Sequence, residues 1–157
     1  MNGFISYAHT DYKMFEEFLI HLAAIERAYE IRFWSDKRIH AGYQWEKEIL
    51  KHIRSADVIL KLVSPGFIKS DYIWDKELPA IKARRKAEAG VLVISVVLKP
   101  CQWDLVTASR QVVPTQNRAV KPIHKWRPKS YGHDRARAEI YDAIGAFYGI
   151  QPKRIEI

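Results

Sequence analysis

Cysteine is almost absent from this chain. One residue, Cys101, allows no internal disulfide and fits a cytoplasmic protein. With one cysteine and six histidines scattered along the sequence, no zinc-ligand spacing forms. Long apolar runs are also missing. The longest, from Val91 to Leu98, is far too short to cross a bilayer as a helix. No basic segment followed by an apolar run opens the chain, so no secretory signal is expected.

Several catalytic signatures are missing as well. No G-x-G-x-x-G follows the first strand-like segment, which argues against a dinucleotide-binding Rossmann unit, and there is no P-loop. No G-x-S-x-G elbow presents a nucleophile. A phospho-receiver would need carboxylates at the ends of strands one and three to hold magnesium. Those ends read Ser6-Tyr7-Ala8-His9 and Val63-Ser64-Pro65 instead.

What is present is a 157-residue chain, 48% hydrophobic and 28% charged, enough for one domain with a real core. Its net charge is +8. Basic groups cluster at Lys82, Arg84, Arg85 and Lys86 and again from Arg118 to Lys129. They read as solvated faces. Without a zinc-finger, KH or RNP pattern, nucleic acid is not an expected partner, and neither is a membrane.

Gly3 to Ala8 reads as a buried strand. Thr10 or Asp11 is placed to cap a helix whose apolar stripe is Met14, Phe15, Phe18, Leu19, Leu22 and Ile25. Tyr29 to Trp34 is a second strand, joined to the next element by a polar loop to Tyr43. Trp45, Ile49 and Ile53, spaced by four, mark the next helix. Asp57 to Val63 and Val91 to Leu98 are the third and fourth strands, and 70–88 is helical in composition. Val120 to Ile123 is the expected fifth strand, its Pro122 suiting an edge. Ile140, Ile144 and Phe147 mark a last helix, and 151–157 is a tail or the start of a linker.

Strands alternating with helices predict an α/β, flavodoxin-like three-layer sandwich. Its central parallel sheet of about five strands carries helices on both faces. Such sheets bind ligands at the carboxyl ends of their strands, where strand order reverses. On that rim, one carboxylate stands out. Ser70 can cap a helix in which Glu77 lies one turn after Ile73 and one before Ile81. Pro79 lacks an amide and crowds the carbonyl of Asp75, so it should kink or split this helix. The plainer expectation is an exposed Glu77 pairing with Lys76 or Lys82.

The motifs together favour the site. Phe4-Ile5-Ser6-Tyr7-Ala8 with His9 and Asp11 resembles the opening box of the Toll/interleukin-receptor (TIR) domain family. Phe33-Trp34-Ser35-Asp36, then Ile39-His40-Ala41-Gly42 and Trp45, resembles its second strand and long loop. Ser55 to Pro65 resembles its third strand, Ser70 to Leu78 the helix bearing the family's catalytic glutamate, and Val120 to Ile123 with Trp126 its late box. The resemblance spans roughly residues 2 to 148, and 1–150 is expected to be one TIR domain.

The resemblance implies two kinds of work. Some members are non-enzymatic adaptors that act by homotypic association. Others, many bacterial, cleave NAD between nicotinamide and ribose, often in antiphage defence, and the bacterial NAD-cleaving type is the expected one. Carried onto this chain, it makes Glu77 the catalytic residue. Ser6, Tyr7, Ala8, Trp34, Asp36, Arg38, Tyr72 and Trp74 are the candidate substrate contacts. Ile39, His40, Ala41 and Gly42 form the assembly loop. NAD is the substrate, with no separate cofactor or metal. The expected partners are further copies of the chain and a fused or separate sensor domain. A deoxyribosyltransferase-like enzyme has a similar layout and also uses a glutamate. Where several enzymatic members carry Trp four residues before the glutamate, this chain has Ile73, which leaves Tyr72 or Trp34 to supply an aromatic wall. Trp74 would point about 100° away from that position on a helix.

Overall fold

The computed structural model describes residues 1–36, 43–87, 90–107 and 111–156. Its centre is a five-stranded parallel sheet: β1 (Asn2–Ser6), β2 (Arg32–Ser35), β3 (Val58–Val63), β4 (Leu92–Val97) and β5 (Val112–Val113). The order is β2-β1-β3-β4-β5, the flavodoxin-like arrangement expected from the alternation of elements. In register, Gly3 lies between Phe33 and Val58, and Val58 to Val63 match Leu92 to Val97 along their whole length. Every residue of β3 and β4 is buried. A parallel sheet covered on both faces has no solvent side, so its strands read as apolar runs without alternation.

Helices α1 (Tyr12–Tyr29) and α5 (Lys129–Tyr148) cover one face, packing on Ile5, Leu60, Leu62 and Ile94. Helices α2 (Tyr43–Ser55) and α4 (Leu78–Lys86) cover the other, over Phe4, Ile59 and Val93. The α1 stripe of Phe15, Phe18, Leu22 and Ile25 is wholly buried. Each such side chain contributes about 1.5–3 kcal/mol by leaving water. Gly149 closes α5 in the left-handed conformation (φ 62°), where a Cβ is costly.

Two expectations are corrected. The fifth strand of the sheet is Val112–Val113, paired with Ser95 and Val96, and not Val120 to Ile123. The apolar pattern at 119–120 belongs to a separate hairpin, β6 (Thr115–Gln116) with β7 (Ala119–Val120). Pro122 then opens a short 3-10 turn at Ile123–Lys125. Nor does a side chain cap α1. Its Ncap residue, Asp11, spends its carboxylate elsewhere: Ser64 Oγ donates to it, and the Lys99 ammonium lies 3.1 Å away.

Residues 151–156 return to the end of α1. Lys153 donates its amide to Ala28 O (2.7 Å) and its ammonium to Glu30 Oε1 (2.5 Å). No described helix is long and apolar enough to cross a membrane.

Candidate active site

The chain leaves β3 through Ser64, whose hydroxyl accepts from Phe67 N–H (3.0 Å) and caps the short helix α3 (Pro65–Lys69). Ser70 Oγ then accepts from Ile73 N–H at 3.3 Å, as expected of a cap. The chain next forms a single π turn, Ile73–Glu77, in which Leu78 N–H reaches back five residues to Ile73 O. Pro79 explains it. A proline inside an α-helix removes a donor and collides with a carbonyl four residues earlier. The wide turn lets a new α-helix start at Leu78, with Pro79 in its first turn, where no donor is needed.

The consequence is the burial of Glu77, which is only 6% exposed. Its neighbour Lys76 points outward and pairs with Glu46 at 3.3 Å. The surface pairing of Glu77 with Lys76 or Lys82 is therefore not what forms.

Glu77 faces a cleft of about 460 Å³ at the carboxyl ends of β1, β2 and β3, where strand order reverses. Tyr7, Ala8 and His9, following β1, form one wall; Asp36, following β2, another. Trp45 from α2, with Tyr72 and Ile73, forms the aromatic and apolar side. The Trp45 and Tyr72 rings sit 4.7 Å apart. Gly66, Lys69 and Ser70 line the mouth. A Cβ on Gly66 would collide with the Thr10 hydroxyl, so glycine keeps the loops after β1 and β3 in contact.

Burial is the main force on the Glu77 carboxyl, pushing its pKa up to about 7. The Ser6 hydroxyl adjoins it and opposes that rise, while the negative charge of Asp36 adds to it. Asp36, also buried, lies 3.3 Å from His9 Nε2, and its backbone carbonyl accepts from the Tyr7 hydroxyl at 2.5 Å. Tyr7 is held in turn by stacking on Phe15 (3.9 Å, 2°). The start of the long loop is thereby fixed to the end of β1.

Among the described residues, two buried polar atoms beside this cleft have no hydrogen-bond partner: Trp45 Nε1 and Tyr72 Oη. Buried donors without partners cost about 1–3 kcal/mol each, so a folded chain keeps few. Grouped beside Glu77 in a concave site, they are ready to meet a polar ligand. Among the described residues, no group of three His, Cys, Asp or Glu side chains is placed to hold a metal.

Of the sequence candidates, Tyr7, Ala8, Asp36, Tyr72 and Glu77 line the cleft, and Ser6 lies beneath it. Trp34 does not line it. Its ring stacks between Phe4 (5.8 Å) and His52 (4.0 Å), as part of the packing under α2. Trp74 does not line it either, since its indole turns outward and donates to Ile68 O (2.6 Å). Arg38 and the assembly loop Ile39, His40, Ala41 and Gly42 lie outside the described residues. Sequence reasoning missed Trp45, which shares the helical spacing of core residues Ile49 and Ile53. It also missed His9 as a cleft residue. The nearby Asp11, Ser64 and Lys99 cluster ties the ends of β1, β3 and β4 together behind the site.

A protein-family model described as "TIR domain" matches residues 4–126. A relative from Sinorhizobium fredii (strain NBRC 101917 / NGR234), described as "Uncharacterized protein y4lF", is 36% identical over 125 residues. That match covers 78% of this chain but 37% of the relative, so the chain spans little more than a third of the longer protein's length. The family model covers more than half of the chain, including the cleft-lining segment from Phe4 to Glu77. The chain belongs to the TIR-domain family.

Proposed function

We propose that this domain hydrolyses the nicotinamide–ribose bond of NAD, with Glu77 as the catalytic carboxylate. The observation that carries the reading is the Glu77 carboxylate, buried in a cleft beside polar atoms that have no partner among the described residues. Nicotinamide in NAD is already cationic and leaves as a neutral ring. The reaction therefore needs no second carboxylic acid to protonate the leaving group, as ordinary glycosidases do. Positive charge develops on the ribose instead. A single fixed carboxylate in a water-poor site stabilises it and can accept hydrogen bonds from the ribose hydroxyls.

The setting suits a cationic substrate. An empty cleft holds Glu77 near its titration point, and a bound positive ring favours the ionised form. Trp45 and Tyr72 offer an aromatic wall for that ring, with their N–H and O–H groups available to the substrate. Lys69 at the mouth supplies a cation for the diphosphate. Asp36 and His9 border the same space. By resemblance, the activity is turned on by self-association through the loop after β2 and serves antiphage defence.

The test is nicotinamide release from NAD by concentrated wild-type protein and by Glu77→Ala. Release by the wild type, reduced at least about hundredfold in the variant, is expected. Release that survives the substitution contradicts the site. No release at any protein concentration or under crowding points to the adaptor role instead. Release from deoxynucleosides but not NAD points to a transferase.

A further inference from the structure

A second cavity, of about 600 Å³, opens between α4, β4 and the 3-10 turn Trp103–Val106. At its floor is Lys61, the one charged residue of β3 and only 5% exposed. Its ammonium donates to Val106 O at 2.5 Å. An ammonium carries three donors, and no other partner for this one is seen among the described residues. Burial first, then the neighbouring charge of Arg85, bring its pKa down to about 8, so it still carries its charge at neutral pH. Lys82, Arg85 and Lys86 of α4 line the same cavity, and among the described residues no carboxylate does. Among the described residues, none of the four is paired with an acid. The Trp74 indole, pinned by its bond to Ile68 O, presents a half-exposed face beside Leu105.

We propose that this cavity is a second ligand site, one that takes a nucleoside phosphate. The phosphates meet Lys61 at the floor and Arg85, Lys82 and Lys86 at the rim, while the base stacks on Trp74. Exposed lysines on a helix are ordinary. A lysine drawn into the sheet with donors to spare is not, because an unpaired buried charge destabilises the empty protein and a bound anion removes that cost. A flat ring held by its own hydrogen bond binds a base without further ordering. The volume matches a small molecule of nucleotide size. The site is separate from the Glu77 cleft and does not depend on the chemistry proposed there.

Calorimetric titration with ADP at low ionic strength tests it, with adenosine and inorganic pyrophosphate as the other arms. Saturable ADP binding is expected, weakened at least about tenfold by Lys61→Met and by Arg85→Ala, the loss of one charge-assisted contact. Trp74→Leu should weaken ADP but leave pyrophosphate unchanged, and adenosine should bind at least about tenfold less tightly than ADP. The ADP binding that Arg85→Ala weakens should persist in Lys69→Ala, a change in the first cleft. If Lys61→Met does not fold, the surface change Arg85→Ala decides. The proposal is overturned by no saturable binding, or by binding indifferent to Arg85 and Lys61. It also fails if binding is lost in Lys69→Ala instead, or if pyrophosphate binds as tightly as ADP. Nicotinamide release plays no part in this readout, so its failure is distinct from failure of the proposed reaction.

Discussion

The helical segment 70–86 contributes to two cavities that bury opposite charges. On one side Glu77 is a carboxylate pushed up to about 7; on the other Lys61 is an ammonium brought down to about 8. Both move toward neutrality, and for the same reason: water has been removed and, among the described residues, no counter-ion replaces it. The surroundings differ. Glu77 sits among aromatic rings and unmatched N–H and O–H groups, which suits a cationic, hydroxyl-bearing ligand. Lys61 sits among further cations, which suits an anion. A buried charge beside a cavity thus states the sign of its missing partner.

The contrast can be broken one charge at a time. Unfolded, Glu77 titrates near 4.5; folded, near 7. The native state therefore holds the proton more tightly, and stability is lost as pH rises from 4.5 to 7. Glu77→Gln should be more stable than wild type by up to about 3 kcal/mol at pH 8 and by nothing at pH 4. Urea unfolding at the two pH values reads this difference.

Lys61 behaves oppositely. Its folded pKa is below its unfolded value, so the unfolded chain binds more protons between about pH 8 and 10.5, and stability rises with pH across that window. Lys61→Met should flatten this rise and stabilise the protein at pH 7 by about 1–2 kcal/mol, after the lost bond to Val106 O is set against the relieved burial. Tyr72→Phe should stabilise the ligand-free protein by up to about 1 kcal/mol, because it removes a buried hydroxyl without a partner. If that hydroxyl serves the substrate, KM for NAD should rise in the same variant. Asp36→Asn gives the smallest effect. It removes a charge that raises Glu77, so the midpoint of the pH–rate profile should move to lower pH.

The central strands were legible because long buried runs such as Val58–Val63 have few alternatives in a sequence. β5 was not, because its two residues are too short for any period and its place is set by pairing with β4. The segment at Val120 carried a better strand pattern and used it in a hairpin off the sheet. Pro79 announced a break near Glu77, but a proline does not state whether the helix kinks, splits or widens; the π turn is the packing answer. Glu77 was visible through its motif. Trp45 was hidden, since an aromatic that lines a cleft and one that fills a core share the same helical spacing. Trp74, a candidate contact by its nearness to Glu77, turns outward, the direction its place on the helix implied. Lys61 left a clear trace, a single charge inside an otherwise apolar strand, whose meaning needs the cavity beside it.

The most direct measurement is the pH dependence of kcat/KM for nicotinamide release from NAD, which reports groups of the free enzyme. The profile should rise with a midpoint near 7, the value set by burial of Glu77, and release should vanish in Glu77→Gln. A midpoint near the ordinary 4.5 of a solvated glutamate, or release persisting in Glu77→Gln, would contradict the assignment of the buried carboxylate as the working group.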